Sequence, residues 1–290
     1  MGCRPLAEAA FLSGDGPDAL DIDARGLEFA CPLDLAGIVA TAHWAAACAM
    51  RVTLRLPSDP AAASYLQRMD VVRRMPQRTQ IRGHAPPDAR TDRRGSLMKV
   101  TALNPGNVND LSERLGPLVT SFYADRSPAA GAAVSRACGE LIGNATEHGQ
   151  GATGAFVAVQ LYSGTTTDAP RLEFAVCDTG VGIPNHLRGN PEHSHLTRDE
   201  LAIARAMKKG VSGVAADNRG NGLSDVIEDT RHHGRVDFQM RSGGGQVVVR
   251  GTPRGHKERP TSRQDRTSGT WAWLTHTSTS DGQTVLHSRQ

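Results

Sequence analysis

The sequence predicts an α/β protein: helices on one face of a mixed β-sheet, preceded by a smaller α/β module. Three observations predict it. Strand and helix patterns alternate twice between Ala19 and Met69, and a second series runs from Leu97 to Leu274. Between them, Gln77 to Gly95 carries tandem Pro86-Pro87 and dense opposite charge, the composition of a linker. At 290 residues the chain suffices for one large or two ordinary domains with proper cores.

Taken in order, residues 1–18 are rich in Gly, Ala, Pro and Asp without a period and read as a frayed tail. In the small module, residues 19–85, Leu20-Asp21-Ile22 and Leu27-Glu28-Phe29 read as strand material. Pro32 suits the first turn of a helix over Leu33–Met50. Arg51 to Pro57 alternates as a half-exposed strand, and Pro60 to Met69 makes a short helix. After a linker over 86–98, the larger domain spans 99–275 and takes Leu97–Leu103 as its first strand. Leu111, Leu115, Leu118, Val119 and Phe122 lie at helical spacing in Asn109–Ala124, a stripe for the core or a subunit contact. A helix from about Ala129 follows, then strands at Phe156–Tyr162, Leu172–Cys177, Val236–Arg241 and Gln246–Arg250, with Trp271–Leu274 closing the set. The Ser/Thr-rich stretch 276–290 reads as a disordered tail.

Three segments carry candidate chemistry. On the Ala129 helix Glu140 and Asn144 stand four residues apart and share a face, beside an apolar stripe of Val134, Ala137, Leu141 and Ala145. Asp178 ends a strand, and Gly180 and Gly182 after it permit positive φ and a close backbone approach to a flat ligand. A buried Asp there accepts a hydrogen bond from an exocyclic amine, which separates adenine from guanine. Gly220, Asn221, Gly222 and Leu223 precede a helix over Ser224–Asp229, where free amides and the helix dipole favour an anion. Each segment alone is ambiguous: the first reads equally as an amphipathic helix with a polar rim, the second as a turn capped by its Asp.

Together and in this order, the segments resemble the N, G1 and G2 boxes of the GHKL ATPases. That superfamily includes type II topoisomerase ATPase subunits, heat-shock chaperones, histidine kinases, MutL-type repair proteins and anti-sigma-factor kinases. The resemblance covers roughly residues 99–275, and Gly269-Thr270-Trp271 resembles the family's closing strand. It implies ATP and Mg²⁺ as cofactors, with Asn144 as metal ligand, Asp178 reading the adenine amino group and Thr270 helping to hold adenine through water. Gly180 and Gly182 would line the base, Gly220, Asn221 and Gly222 would cradle the phosphates with Leu223 behind them, and Glu140 would be the general base. Phosphoryl transfer needs mostly positioning and charge neutralisation, so one carboxylate and one metal suffice. Residues 184–219 correspond to the family's mobile lid. In it Lys208 or Lys209 either reaches a phosphate or, more in keeping with dipole preference, caps its own helix.

Within the superfamily, the size of the catalytic segment resembles the anti-sigma-factor serine kinases. The small module is similar in layout to a STAS domain, the antagonist module of those systems. Its strand-to-helix turn, Ala30-Cys31-Pro32-Leu33, lacks the hydroxyl that the family phosphorylates, so the resemblance implies a docking or regulatory surface. An unrelated α/β cap extending the ATPase core fits the pattern equally. Two function classes follow: an ATP-consuming hydrolase or protein serine kinase, and a non-catalytic ATP-dependent switch that regulates a partner. The expected partner is a sigma-factor or STAS-type regulatory protein, with a homodimer left open.

Composition narrows the rest. A net charge of +3 with dispersed basic residues gives no support for nucleic-acid binding. Five cysteines without CxxC spacing suit a reducing cytoplasm, and no long apolar span predicts a membrane segment. His186, His193 and His195 fit no standard metal-ligand spacing, and His232 and His233 suit a last helical turn.

Overall fold

The computed structural model describes residues 12–13, 18–86, 95–149, 153–164, 169–213 and 222–278. The tail before Leu12, most of the linker, lid residues 214–219, Gly220, Asn221 and the tail after Ser278 lie outside these. Two sheets organise the chain, and the larger, expected to be mixed, is antiparallel throughout. The first has the order β1 (Leu12–Ser13), β2 (Ala19–Asp23), β3 (Arg51–Arg55), β4 (Gln80–Arg82). Strands β2, β3 and β4 run parallel and β1 antiparallel. In the second sheet β5 (Leu97–Leu103), β6 (Ala155–Tyr162), β7 (Arg171–Asp178), β9 (Gly255–Ser278) and β8 (Gly234–Thr252) are neighbours in that order, antiparallel throughout.

Helix α1 (Pro32–Ala47) lies between the sheets. It is apolar nearly all round, with Leu33, Leu35, Ala36, Ile38, Val39 and Ala40 all buried, the composition of a helix enclosed on every side. Cys31 N donates to Asp34 Oδ2 at 2.8 Å and starts it. One flank meets Leu20, Ile22, Val52 and Leu54 of the parallel sheet; the other meets Phe156, Ala158, Ala175, Cys177 and the half-buried Trp271 and Trp273 of the antiparallel sheet, in a single core cluster. A side chain at Gly37 would come within 2.8 Å of the Trp271 ring, so only glycine lets α1 approach so closely.

The expectation of helices on one face only is therefore corrected: α1 covers the second face. The strand-to-helix turn that lacks the STAS hydroxyl is itself enclosed, with Ala30, Cys31 and Leu33 at most 3% exposed. Leu27-Glu28-Phe29 is loop rather than strand. The first part of the Gln77–Gly95 stretch of linker composition forms the edge strand β4, and β5 begins at Leu97 as expected.

On the other face α4 (Val108–Tyr123), α5 (Pro128–His148) and α8 (Gly222–His232) pack over Val157, Val159, Phe174, Val176, Phe238 and Leu274. Ser127 caps α5 by accepting from Ala130 N at 3.3 Å, with Pro128 at its first position. The stretch read as the lid opens with α6 (Ile183–Arg188) and a 3₁₀ turn, Pro191–His193, before α7 (Asp199–Ala206). The two short strands expected near Val236 and Gln246 are one continuous β8, whose register with β9 shifts around Gly243. No helix among the described residues is long and apolar enough to cross a membrane.

Strand β9 also overruns the presumed carboxyl tail. His276 is fully buried there; the Tyr123 hydroxyl donates to its Nδ1 at 2.7 Å, and its Nε2 donates to the Thr230 carbonyl at 3.2 Å. A carbonyl only accepts, so the proton sits on Nε2 and the ring is neutral. Burial pushes its pKa from 6.5 down to about 4. Its contribution to stability is complete above pH 6.5 and is lost as pH falls through 4, about 3 kcal/mol in all. Replacing His276 by Gln is expected to remove this acid loss, so that in urea titrations between pH 4.5 and pH 7 the variant's stability falls with rising pH relative to wild type; a pH profile parallel to wild type refutes the assignment.

Candidate functional site

Helix α5, the end of β7, the start of α6, the start of α8 and the middle of β9 enclose a cleft of about 610 Å³. The three sequence segments converge in it. Glu140 and Asn144 look in from α5, Asp178 and Gly182 from the β7 end, Gly222 and Leu223 from α8, and Thr270 from β9. Gly220 and Asn221 lie outside the described residues.

At one end stands Asp178, 6% exposed. Its Oδ1 accepts from Gly180 N at 2.9 Å and Thr270 N at 3.0 Å, whereas Oδ2 takes no hydrogen bond among the described residues. Burial lifts its carboxyl from 3.8 to about 6 against the pull of those two amides. A desolvated acceptor with one oxygen uncommitted suits a donor brought by a ligand. Gly182, at φ 77°, brings its backbone where a side chain would strike Ser242 Oγ.

Gly180 departs from the expectation. It does not line the cleft; a side chain there would meet the His148 carbonyl at 2.7 Å, so glycine serves packing against the end of α5. Thr179 behind it bonds the Gly154 carbonyl at 3.2 Å and is joined to the Thr153 hydroxyl.

At the other end Asn144 Nδ2 is buried without a hydrogen-bond partner, a donor that an oxygen of a ligand would satisfy, whereas a cation would be held by the amide Oδ1. Gly222 sits over this pair, since a side chain on it would lie 2.6 Å from Glu140 Oε2 and 3.8 Å from Asn144 Nδ2. Glu140 itself is exposed and takes no hydrogen bond among the described residues. Among the described residues no group of three or more His, Cys, Asp or Glu is arranged for a metal. An ion at Asn144 would take its remaining ligands from a nucleotide and water, as Mg²⁺ commonly does.

Sequence reasoning missed four features in and behind the cleft wall. His148 and His186 stack with centroids 4.5 Å apart, joining the end of α5 to α6, and burial with His148 alongside lowers the His186 pKa. Asp225, Ser242 and Met240 also went unread, although Asp225 and Met240 line the cleft. The lid stretch is pinned where described: Asp199 accepts from Arg188 Nη2 at 2.7 Å, Gly244 N at 2.8 Å and Arg266 Nη2 at 3.3 Å. Lys208 is held by both oxygens of Glu258 at 2.8 Å, and neither it nor Lys209 lines the cleft. His232 Nδ1 bonds the Glu228 carbonyl, the last-turn role expected of it.

No family model and no curated protein matches the chain. Among solved structures, similarity is found to the topoisomerase IV ATP-binding domain of Francisella tularensis in complex with a small-molecule inhibitor. Identity is 21%, the TM-score is 0.22, and the match covers 37% of this chain and 27% of that one. At that score the likeness carries no argument, and a reading of function rests on the cleft.

Proposed function

We propose that the chain binds ATP as its magnesium complex in the manner of the GHKL ATPases. The observation that supports this is the convergence of three distant segments on one cleft, with a buried single-acceptor carboxylate at one end and an unpartnered carboxamide beside a helix start at the other. In this reading Asp178 accepts from the adenine amino group, Thr270 braces it, and Gly182 leaves room for the ring. Asn144 holds the Mg²⁺ that bridges the phosphates, and the amides at the start of α8 face them. The cleft walls contribute Glu140, Glu147, Asp178 and Asp225 and, among the described lining residues, no lysine or arginine. A polyphosphate therefore needs the metal's charge to enter.

On this reading Glu140 orients water, or a protein serine, against the terminal phosphate, which makes the chain an ATPase or protein serine kinase of the anti-sigma-factor type. Its partner is then a sigma-factor or STAS-type regulatory protein in the cytoplasm. With the Ala30–Leu33 turn enclosed, docking by the small module falls to its outer sheet face, where Arg55 Nη2 and Asp21 pair at 2.6 Å. A second reading, a non-catalytic ATP-dependent switch, is favoured by Glu140 standing without a residue that orients it. Calorimetric titration with Mg-ATP and Mg-GTP tests the common core of both: ATP is expected to bind and GTP to bind at least tenfold more weakly. Equal or absent binding of the two removes the reading.

A further inference from the structure

Ser242 is fully buried on β8, where the ladder with β9 jumps from Ser242↔Thr270 to Gly243↔Thr267. The jump loops Ser268 and Gly269 out of register and places Gly269, at φ 71°, against Asp178, where a side chain would come within 2.5 Å of Oδ1. The Ser242 hydroxyl donates to the Gly269 carbonyl at 2.7 Å and accepts from Ile183 N at 3.0 Å. Thr270 Oγ1 stands 3.4 Å away. One side chain thus ties together the strand before Thr270, the helix that follows Gly182, and the bulge between them.

We infer that Ser242 is the positioning residue of the base-reading end of the cleft and sets its preference for adenine over guanine, an inference that rests on the nucleotide reading above. A serine hydroxyl has one proton and two lone pairs. Here the proton is committed to Gly269, so toward Ile183 and Thr270 the oxygen presents acceptors only. The Thr270 hydroxyl is accordingly drawn to donate toward Ser242 and to turn its lone pairs to the cleft. Asp178, held on Oδ1 by the Thr270 amide, likewise presents an acceptor. Two acceptors match the amino donor at position 6 of adenine and repel the carbonyl that guanine carries there. Without the Ser242 hydroxyl, Gly269 and Thr270 lose their tether. The amide that steadies the Asp178 carboxylate then drifts, and the Thr270 hydroxyl becomes free to donate to a guanine carbonyl.

The test compares wild type, Ser242→Ala and Ser242→Cys, the last keeping the size with a weak donor. In ligand-free protein the Asp178 carboxyl is followed by carbon NMR against pH. Its midpoint is expected to rise by roughly half a unit or more in Ser242→Ala as the Thr270 bond weakens, with Ser242→Cys between. In calorimetry with Mg-ATP and Mg-GTP, Ser242→Ala is expected to lose about tenfold in ATP affinity and to narrow the ATP-to-GTP ratio by a similar factor. A wild-type midpoint together with a wild-type ratio overturns the inference, even where the variant melts at lower temperature. Failure of wild type to bind either nucleotide sinks the function proposed above and base selection with it, while the ligand-free midpoint still decides whether Ser242 steadies Asp178.

Discussion

Replacing Asp178 by Asn is expected to weaken Mg-ATP binding by roughly tenfold to a hundredfold, the range for losing a hydrogen bond to a charged group, while making the ligand-free protein more stable at pH 8. Both follow from one buried carboxylate. Its pKa of about 6, against 3.8 when exposed, means the folded chain holds the proton more tightly than the unfolded chain. Stability is therefore greatest below pH 3.8 and is lost as pH rises through 6, by about 3 kcal/mol. Asparagine keeps the acceptor for the Gly180 and Thr270 amides but carries no charge to desolvate, so the variant is expected to melt several degrees higher at pH 8. The same ionisation makes wild-type ATP affinity fall below pH 6, a dependence the variant should lack. His276 runs the other way over nearly the same window, gaining stability as pH rises from 4 to 6.5. The wild-type profile should be nearly flat there and the variant's should climb. Equal ATP affinity of the two proteins would contradict the pocket assignment, and equal melting temperatures at pH 8 the burial argument.

Removing the carboxylate at Glu140 should separate the two function classes. If the chain turns ATP over, Glu140→Ala is expected to lower phosphate release about a hundredfold to ten-thousandfold, the usual contribution of a positioned general base. ATP affinity should stay near wild type, because Glu140 is exposed and does not brace the Asp178 end. If the chain is a switch, wild-type release is already negligible and the variant binds its partner as before. Single-turnover phosphate release, with a pull-down in the presence and absence of ATP, reads both. A proportional loss of ATP binding and phosphate release would instead make Glu140 a ligand-binding group.

How legible the molecule is in its sequence varies by segment for physical reasons. Helix α5 could be read because Ser127 and Pro128 mark its start and its polar and apolar stripes keep helical spacing through Ala145. Strand β7 and its terminal Asp178 could be read from an apolar run ended by glycines. What that run also signalled is burial on both faces, since Leu172 to Cys177 contains one polar residue, Glu173, where a half-exposed strand would alternate. The outer half of β9 was invisible because its mostly exposed residues, from Lys257 to Gln264, offer no apolar period. Ser242 could not be singled out at all: a lone serine in a strand acquires meaning only through Gly269 and Ile183, 27 and 59 residues away.

The sandwiched helix α1 has a consequence for biosynthesis. Its flank facing Trp271 leaves the ribosome more than two hundred residues before the strand that will cover it. During translation the finished amino-terminal half must present an oily stripe with nothing to lie against, the situation in which nascent chains stick to one another or recruit chaperones. Messages broken before the codons for β6 should therefore yield insoluble fragments, and the stripe is hidden stepwise as β6, β7 and then the Trp271 segment of β9 are added.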